Sequence, residues 1–171
     1  ILNLNFRDKK IVKKCDGIIH LAAMSRATET YKHVKQCFDS DLKSVIELID
    51  IIKNNRLKPW FLIASSIGVE NYERKINKRP YEITKKAAED TLECFANFYN
   101  FKGIAVRFSD IYGSEKDNQK KIIPSLIKKL KYDKVVIIDD PSLKLNYIHV
   151  NDLVNNLCQL IDKIKILKKN F

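Results

Sequence analysis

The sequence predicts an α/β protein built on a doubly wound parallel sheet. Apolar runs at 16–21 and 60–65 have the length of buried strands, and segments with helical periodicity separate them. Strands that alternate with helices in this way form parallel sheets, because each connection crosses one face of the sheet. The 171 residues, of which 45% are apolar and 31% charged, suffice for one globular core and no more than one full domain.

The first part of the chain supplies five predicted elements. Residues 1–5 are predicted as the end of a strand, and 7–14 as a helix. The apolar run at 16–21 is a buried strand that leads into small residues, and about 28–54 is helical. A second buried strand follows a proline, at 60–65.

Proline and glycine mark the elements in the middle of the chain. Residues 67–79 are predicted as a polar loop, and Pro80 as a helix start, because proline suits the first helical turn. A long amphipathic helix then extends to about Phe101, and Gly103 marks its end. A strand at 104–109 comes next.

The last part of the chain continues the alternation. We predict a helix at 121–131, strands at 134–138 and 145–149, and a helix from Asn151 to about residue 164. Parallel sheets bind ligands at the carboxyl ends of their strands. The small residues that fall at these ends are Ala22, Ala23, Ser65, Ser66 and Ser109.

Composition and charge bound the compartment and the partners. Four cysteines without C-x-x-C or histidine-rich spacing favour reduced thiols over a disulfide frame or a metal site, so we expect a cytoplasmic protein. The sequence has no signal-peptide pattern, and no apolar run approaches the roughly 18 residues of a membrane span. The net charge of +11 comes from dispersed lysines without a nucleic-acid motif, so we expect a solvated basic surface and no nucleic-acid or membrane partner.

Tyr81 and Lys85 form the candidate catalytic pair. Residues four apart share one face of a helix. Neither side chain alone is a base at neutral pH, but an ammonium within a few ångströms of the tyrosine oxygen favours the phenolate. Tyr81 is therefore a candidate general base, and Ser66, just after the apolar run at 60–64, is placed to hold the substrate oxygen.

Seven short motifs, in one order along the chain, resemble the extended short-chain dehydrogenase/reductase family, which contains NAD-dependent nucleotide-sugar epimerases and dehydratases. D-G-I-I-H-L-A-A at 16–23, A-S-S at 64–66 and P-Y-E-I-T-K at 80–85 are similar to the family's D-x-V-x-H-L-A-A, S-S-x-x-V-Y-G and P-Y-x-x-S-K. Four further stretches agree: N-F-R-D at 5–8, V-R-F-S-D-I-Y-G at 106–113, I-I-P at 122–124 and N-Y-I-H-V-N-D at 146–152. The likeness covers nearly the whole chain and implies a Rossmann-like fold.

The resemblance implies NAD or NADP as cofactor, a nucleotide-activated sugar as substrate and a homodimer formed through the helix that carries Tyr81. A hydride would pass from a sugar carbon to the cofactor while the Tyr81 phenolate takes the hydroxyl proton, and the resulting ketone would be epimerised, dehydrated or reduced. The implied catalytic residues are Ser66, Tyr81 and Lys85. The implied cofactor-binding residues are Asn5, Phe6, Leu21, Ala22, Ala23, Ser40, Ala64, Ser65, Tyr81, Lys85 and Ser109, and the substrate-binding ones are Ser66 and Asp110.

The glycine content departs from the family pattern. The G-x-x-G-x-x-G turn, which seats a pyrophosphate at a helix N-terminus, has no counterpart among the four scattered glycines. The chain opens on Ile1, and its single methionine is Met24. We therefore expect an internal fragment, a partial NAD(P)-binding domain over 1–171 in which 114–149 begins the substrate-binding region.

Three substitutions bear on the substrate and keep other functions open. Asp41 and Asp110 stand where the family commonly has asparagine, and Leu145 where it has arginine, so a diphosphate would face carboxylates and lose a bidentate donor. A reductase of a non-sugar hydroxyl or carbonyl compound is therefore one alternative. A catalytically silent Rossmann-like binding protein is the other.

Overall fold

The computed structural model describes residues 9–24, 31–74, 79–132, 142 and 144–166. Two compact units are present, Ile1–Phe108 with Ile164–Phe171, and Ser109–Lys163. The elements in chain order are α1 (Lys9–Val12), β1 (Gly17–His20), α2 (Tyr31–Cys37), a π-helical segment (Phe38–Lys43), α3 (Ser44–Asn54), β2 (Trp60–Ser66), α4 (Gly68–Glu73), α5 (Pro80–Tyr99), β3 (Lys102–Phe108), β4 (Asp110–Tyr112), α6 (Ile122–Tyr132), β5 (Tyr147–His149) and α7 (Val150–Ile166).

The first unit contains a parallel sheet with the strand order β1-β2-β3. Trp60 at the start of β2 is in register with Gly17 of β1 and with Lys102 of β3, so all three strands run in one direction from a common edge. Their carboxyl ends therefore meet at the opposite edge. The predicted α/β class with a parallel sheet is confirmed.

The hydrophobic core of this unit lies between β2 and the helices α3 and α5. The core residues of α3 recur with helical spacing and form one apolar stripe: Val45, Leu48, Ile49 and Ile52. Ala88, Leu92 and Ala96 form the corresponding stripe on α5, and Phe61 and Ile63 contribute from β2. The long helix that carries the candidate pair is thus fixed to the sheet along its length.

Trp60 packs across the first strand pair. A Cβ on Gly17 would lie 1.8 Å from the Trp60 ring, so a side chain there would overlap the indole. The indole N–H of Trp60 is buried and has no hydrogen-bond partner among the described residues. Glycine at position 17 is therefore required for this ring to cover β1.

Helix α5 begins as predicted but ends differently. Pro80 is its first residue, and the Glu82 carboxylate accepts a hydrogen bond of 2.9 Å from the Arg79 N–H. The helix ends at Tyr99, because Asn100 adopts the left-handed conformation with φ 54°. The predicted end at about Phe101 is two residues late, and the prediction that Gly103 marks the end is wrong, since Gly103 lies within β3.

We expect Gly103→Ala to destabilise the protein by about 1–3 kcal/mol, because overpacking forces neighbours to shift. The new methyl group would lie 2.7 Å from the Ala96 Cβ and 3.0 Å from the Leu92 Cγ. Urea unfolding measures the change. Ala105→Ser, at an exposed position of the same strand, is the matched control, and adding Ala96→Gly should restore part of the loss. A Gly103→Ala variant as stable as the control would contradict this packing.

The predicted polar loop at 67–79 contains a helix, α4, so that prediction is wrong for Gly68–Glu73. Val69 is fully buried, and Gly68 is buried beside the Glu82 side chain. One buried valine in a polar stretch is too weak a pattern to predict a helix. In the structure, the buried Val69 packs this short helix onto the first unit.

The second unit pairs β4 with β5 in parallel and contains α6 and most of α7. The predicted helices at 121–131 and 151–164 and the strand at 145–149 are confirmed, the strand being shorter. Strand β4 was not predicted, because its three residues give no periodic signal. The predicted strand at 134–138 lies outside the described residues.

The structure bears on three sequence predictions: the state of the cysteines, membrane spans and metal sites. Cys15, Cys37, Cys94 and Cys158 are free thiols. Among the helices of the described ranges, none has the length and apolar character needed to cross a membrane. Within the same ranges, no group of three or more His, Cys, Asp or Glu side chains is arranged to hold a metal ion.

Candidate functional site

The first half of α5 meets the carboxyl end of β2 through Lys85. Its ammonium donates a hydrogen bond of 2.9 Å to the carbonyl oxygen of Ala64, and Lys85 is only 5% exposed. The same Nζ lies 5.6 Å from the centroid of the Tyr81 ring. The two side chains that the sequence pairs by spacing are therefore together in space, at the strand end where ligands bind parallel sheets.

Ser66 lies beside the first turn of the same helix. Its Oγ accepts a hydrogen bond of 3.2 Å from the Gly68 N–H. A Cβ on Gly68 would lie 3.4 Å from the Ser66 Oγ and 3.0 Å from the Cγ of Glu82, the residue after Tyr81. The buried glycine thus lets β2 approach the start of α5 and brings Ser66 to the region of Tyr81 and Lys85.

The charge state of Lys85 is set by opposing effects. Burial lowers the pKa of its ammonium, while the negative charge of Asp41, and to a smaller extent Cys37 and Glu89, acts in the opposite direction. A buried cation is costly unless hydrogen bonds or opposite charges compensate it. The Ala64 carbonyl and the nearby Asp41 provide that compensation.

Asp41 lies inside the protein, in the π-helical segment, and is 2% exposed. Its Oδ1 accepts hydrogen bonds from the Met24 N–H at 2.9 Å and from the Ser40 hydroxyl at 2.8 Å. Its Oδ2 accepts a bond of 3.2 Å from the Thr84 hydroxyl. The expectation that this carboxylate faces a diphosphate is therefore wrong, because its oxygens are occupied by these internal donors.

His20, at the end of β1, borders the same polar region. Its Nε2 is 2.8 Å from the Ser44 hydroxyl, and the Ser44 hydroxyl in turn donates to the Ser40 carbonyl oxygen. Burial lowers the pKa of His20, and the charge of Lys85 acts in the same direction. The neutral imidazole is therefore favoured, and it joins β1 to α3.

The segment after β1 has the features expected of a surface that a flat ligand can approach. Leu21 is 56% exposed, and Ala22 and Ala23 are also exposed. Met24 fixes the end of this segment, because its N–H is held by Ser40 at 3.1 Å and by Asp41. The two alanines leave the backbone here accessible, and the predicted cofactor contacts of Leu21, Ala22 and Ala23 stay predictions. The predicted adenine-side residues Asn5 and Phe6 lie outside the described residues.

Ser65 points away from Ser66, since successive strand residues face opposite sides of a sheet. It is buried, and its hydroxyl donates to the Glu89 carboxylate. Arg107 of β3 binds that carboxylate at 2.7 Å and the Glu73 carboxylate at 2.8 Å, and these ion pairs raise its pKa. This network joins β2, β3, α4 and α5, and no pattern in the sequence indicates it. The predicted cofactor contact of Ser65 stays a prediction.

We expect Arg107→Met to lower the free energy of unfolding by about 1–3 kcal/mol, because the mostly buried Glu89 carboxylate loses its charged partner. Lys86→Met is the control, since Lys86 pairs with Asp90 and Glu73 near the surface.

The ion pair between Arg107 and Glu73 also makes stability depend on pH. Arg107 lowers the pKa of the Glu73 carboxyl group. The stabilisation from this pair is therefore present above the ordinary glutamate pKa, and it is lost as pH falls through the lower pKa of the folded state. Urea unfolding near neutral pH and in acid measures both effects. If Arg107→Met and Lys86→Met lost equal free energies of unfolding near neutral pH, the ion pairs of Arg107 would not stabilise the protein as proposed.

Ser109 and Asp110 belong to the second unit. The Asp110 N–H donates a hydrogen bond of 3.2 Å to the Asn146 carbonyl oxygen, and Asp110 is in register with Tyr147 in the β4–β5 pair. Their predicted contacts with cofactor and substrate stay predictions. Leu145, at the position of the expected arginine, is 39% exposed.

Three comparisons with known proteins found similar sequences and folds. Residues 2–170 match the model of the NAD dependent epimerase/dehydratase family. The chain is 24% identical over 163 residues to the dTDP-D-glucose 4,6-dehydratase of Dictyostelium discoideum, which covers 84% of this chain and 37% of that protein. It is 23% identical over 113 residues to the UDP-glucose 4-epimerase of Lacticaseibacillus casei, covering 61% of this chain and 34% of that protein.

The fold is also similar to that of solved structures. The UDP-glucuronic acid 4-epimerase of Bacillus cereus, solved with UDP-glucuronic acid and NAD, matches with a TM-score of 0.76 at 20% identity. The match covers 99% of this chain and 55% of that one. The chain thus spans about half the length of this solved relative and about a third of the two curated ones.

Proposed function

Since the chain belongs to the NAD dependent epimerase/dehydratase family, we propose that it is the part of an NAD(P)-dependent enzyme that carries Ser66, Tyr81 and Lys85 for chemistry on a nucleotide-activated sugar. The observation that supports this most is the buried Lys85, held at the end of β2 with its ammonium 5.6 Å from the Tyr81 ring centroid. Residues at this spacing are neighbours on any helix, so the burial of Lys85 is what distinguishes this pair from one that occurs by chance on a solvated helix face.

The proposed chemistry assigns one role to each side chain. Tyr81, as phenolate, takes the proton of a sugar hydroxyl, and the Lys85 ammonium stabilises the phenolate by its charge. The Ser66 hydroxyl donates to the substrate oxygen and holds it near Tyr81. The cofactor, when bound, supplies the site that accepts the hydride.

Lys85 and the segment after β1 would hold the cofactor. An ammonium has three N–H donors, and the described contacts of Lys85 use one of them, toward the Ala64 carbonyl. The others are suited to the ribose hydroxyls beside the nicotinamide. Leu21, Ala22 and Ala23 would line the opposite approach with exposed, mostly small residues.

The similar proteins favour a nucleotide sugar, because their names describe a dTDP-sugar dehydratase and UDP-sugar epimerases. Asp110 and Leu145 favour the alternative, a reductase of a non-sugar compound, since neither side chain attracts a phosphate. A binding protein without catalysis remains the third hypothesis.

We further propose that the protein is cytoplasmic and forms a homodimer. Residues 114–149 are proposed to begin its substrate-binding region.

Product analysis separates these hypotheses. The intact protein, of which this chain is the proposed part, is incubated with NAD and, in separate samples, with UDP-glucose, UDP-glucuronic acid and dTDP-glucose, because the chain by itself is expected to be inactive. Each nucleotide sugar is followed by proton NMR. Formation of a 4-epimer or a 4-keto product supports the proposal. Calorimetry provides the other outcomes, since NAD binding without any nucleotide-sugar binding would favour the non-sugar reductase, and no NAD binding would overturn an NAD-dependent function.

A further inference from the structure

Beneath the proposed catalytic pair lies a group of buried polar side chains that the proposed chemistry does not use. It is formed by residues of β1, α2, the π-helical segment, α3 and α5: His20, Cys37, Asp41, Ser44 and Thr84. Buried polar groups are retained where they are hydrogen-bonded, and a buried carboxylate in particular needs strong partners.

We propose that Asp41 is a positioning residue that supplies the negative counter-charge to the Lys85 ammonium and holds the start of α5 in place for the Tyr81–Lys85 pair. The positioning of a catalytic pair rests on the proposed function. The effect of the Asp41 charge on Lys85 does not, and it can be tested in the protein without ligands.

The geometry ties Asp41 to both sides of the site. Its Oδ2 accepts the Thr84 hydroxyl at 3.2 Å, and Thr84 directly precedes Lys85 on α5. Its Oδ1 accepts the Met24 N–H at 2.9 Å, which fixes the segment proposed to line the cofactor. One carboxylate therefore connects the helix that carries the catalytic pair with the segment after β1.

The electrostatics of the region agree with this assignment. Desolvation lowers the pKa of Lys85, and Asp41 is the largest influence that opposes the decrease, ahead of Cys37 and Glu89. His20 faces the same ammonium from β1, and its own pKa is lowered by burial and by the Lys85 charge. Among these neighbours Asp41 is thus the principal anion that favours the protonated lysine.

Asp41→Asn separates charge from hydrogen bonding. The amide oxygen can still accept from the Met24 N–H and the Ser40 hydroxyl, as Oδ1 does now. The amide nitrogen can donate to Thr84, whose hydroxyl can keep its other bond of 3.0 Å to the Tyr81 carbonyl oxygen. Asp39→Asn, at an exposed position of the same π-helical segment, removes an equal charge and is the matched control.

The readout is the titration of the Lys85 ammonium by NMR in ¹³C-lysine-labelled protein without ligands, with the signal assigned through Lys85→Arg. We expect its midpoint to move to lower pH in Asp41→Asn and to stay unchanged in Asp39→Asn. A folded Asp41→Asn protein with an unchanged Lys85 midpoint would overturn the proposal, whatever the protein's activity.

A second measurement decides the case in which Asp41→Asn does not fold. With Lys85→Met, the Asp41 carboxylate lacks its counter-charge, so removing that charge should cost less stability than in the natural sequence. We expect the double variant Asp41→Asn/Lys85→Met to fold, and to be at least as stable in urea as Lys85→Met. If the double variant also fails to fold, Asp41 acts through its hydrogen bonds alone and the counter-charge is refuted.

Discussion

Tyr81→Phe in the intact protein is expected to reduce turnover of the nucleotide sugar by about 10²–10⁴-fold while leaving NAD binding within a few-fold of the natural protein. The substitution removes only the hydroxyl proposed as general base, and loss of a positioned acid or base commonly has an effect of this size. The phenylalanine ring keeps the place of the tyrosine ring, whose centroid is 5.6 Å from the Lys85 ammonium. Turnover follows from product NMR, and binding from calorimetry.

Tyr99→Phe is the control for this prediction. Tyr99 lies on the same helix, in the last turn, and its ring stacks on Phe95 at a centroid distance of 5.7 Å. Removing that hydroxyl should leave turnover unchanged. If Tyr81→Phe retained natural turnover, the proposed general base would be wrong, even for a protein that binds NAD.

The sequence predicted that Tyr81 and Lys85 lie together, but not what surrounds them. Tyr81 and Lys85 lie at a spacing fixed by the helix itself, and Ser66 ends a strand that apolar composition reveals, so these positions follow from local pattern. The surroundings of Lys85 and the ion pairs of Arg107 join residues distant in sequence. Such contacts depend on how helices pack on the sheet, which no local pattern encodes.

The fold shows the same division between long and short elements. Strand β2 and helix α5 are long and strongly patterned, and both were predicted within about two residues. Helix α4 and strand β4 have six and three residues, too few for a period to emerge. The π-helical segment was predicted as ordinary helix, because one additional residue in a turn changes the direction of side chains without changing composition.

Phe61→Ala is expected to have the largest effect on stability, a loss of about 3–5 kcal/mol. Phe61 is fully buried in the middle strand, in register with Ile18 of β1 and Gly103 of β3. Its removal leaves a cavity between the sheet and the helices α3 and α5, whose packed side chains relax only partly to fill it. Since a domain of this size has a total stability of about 5–15 kcal/mol, the variant is expected to be close to unfolding.

Phe98→Ala provides the matched control for this prediction. Phe98 is 78% exposed on α5, although its ring meets Tyr99 edge-on at 5.1 Å. The same chemical change there should alter stability by no more than about 0.5 kcal/mol. The two midpoints in urea are compared directly, and a Phe61→Ala protein as stable as Phe98→Ala would contradict the central position of β2.

The indole of Trp60 is an intrinsic optical reporter for all of these experiments. It is the chain's one tryptophan, and its ring covers Gly17 at the point where β1 and β2 begin to pair. Its N–H is buried and has no hydrogen-bond partner among the described residues, which shifts the emission to the blue, and water that reaches the ring shifts it to the red. Because small domains usually unfold in one cooperative step, the red shift of the unlabelled protein in urea marks loss of the folded state at the β1–β2 pair, and its reversal on dilution follows the return of that pair.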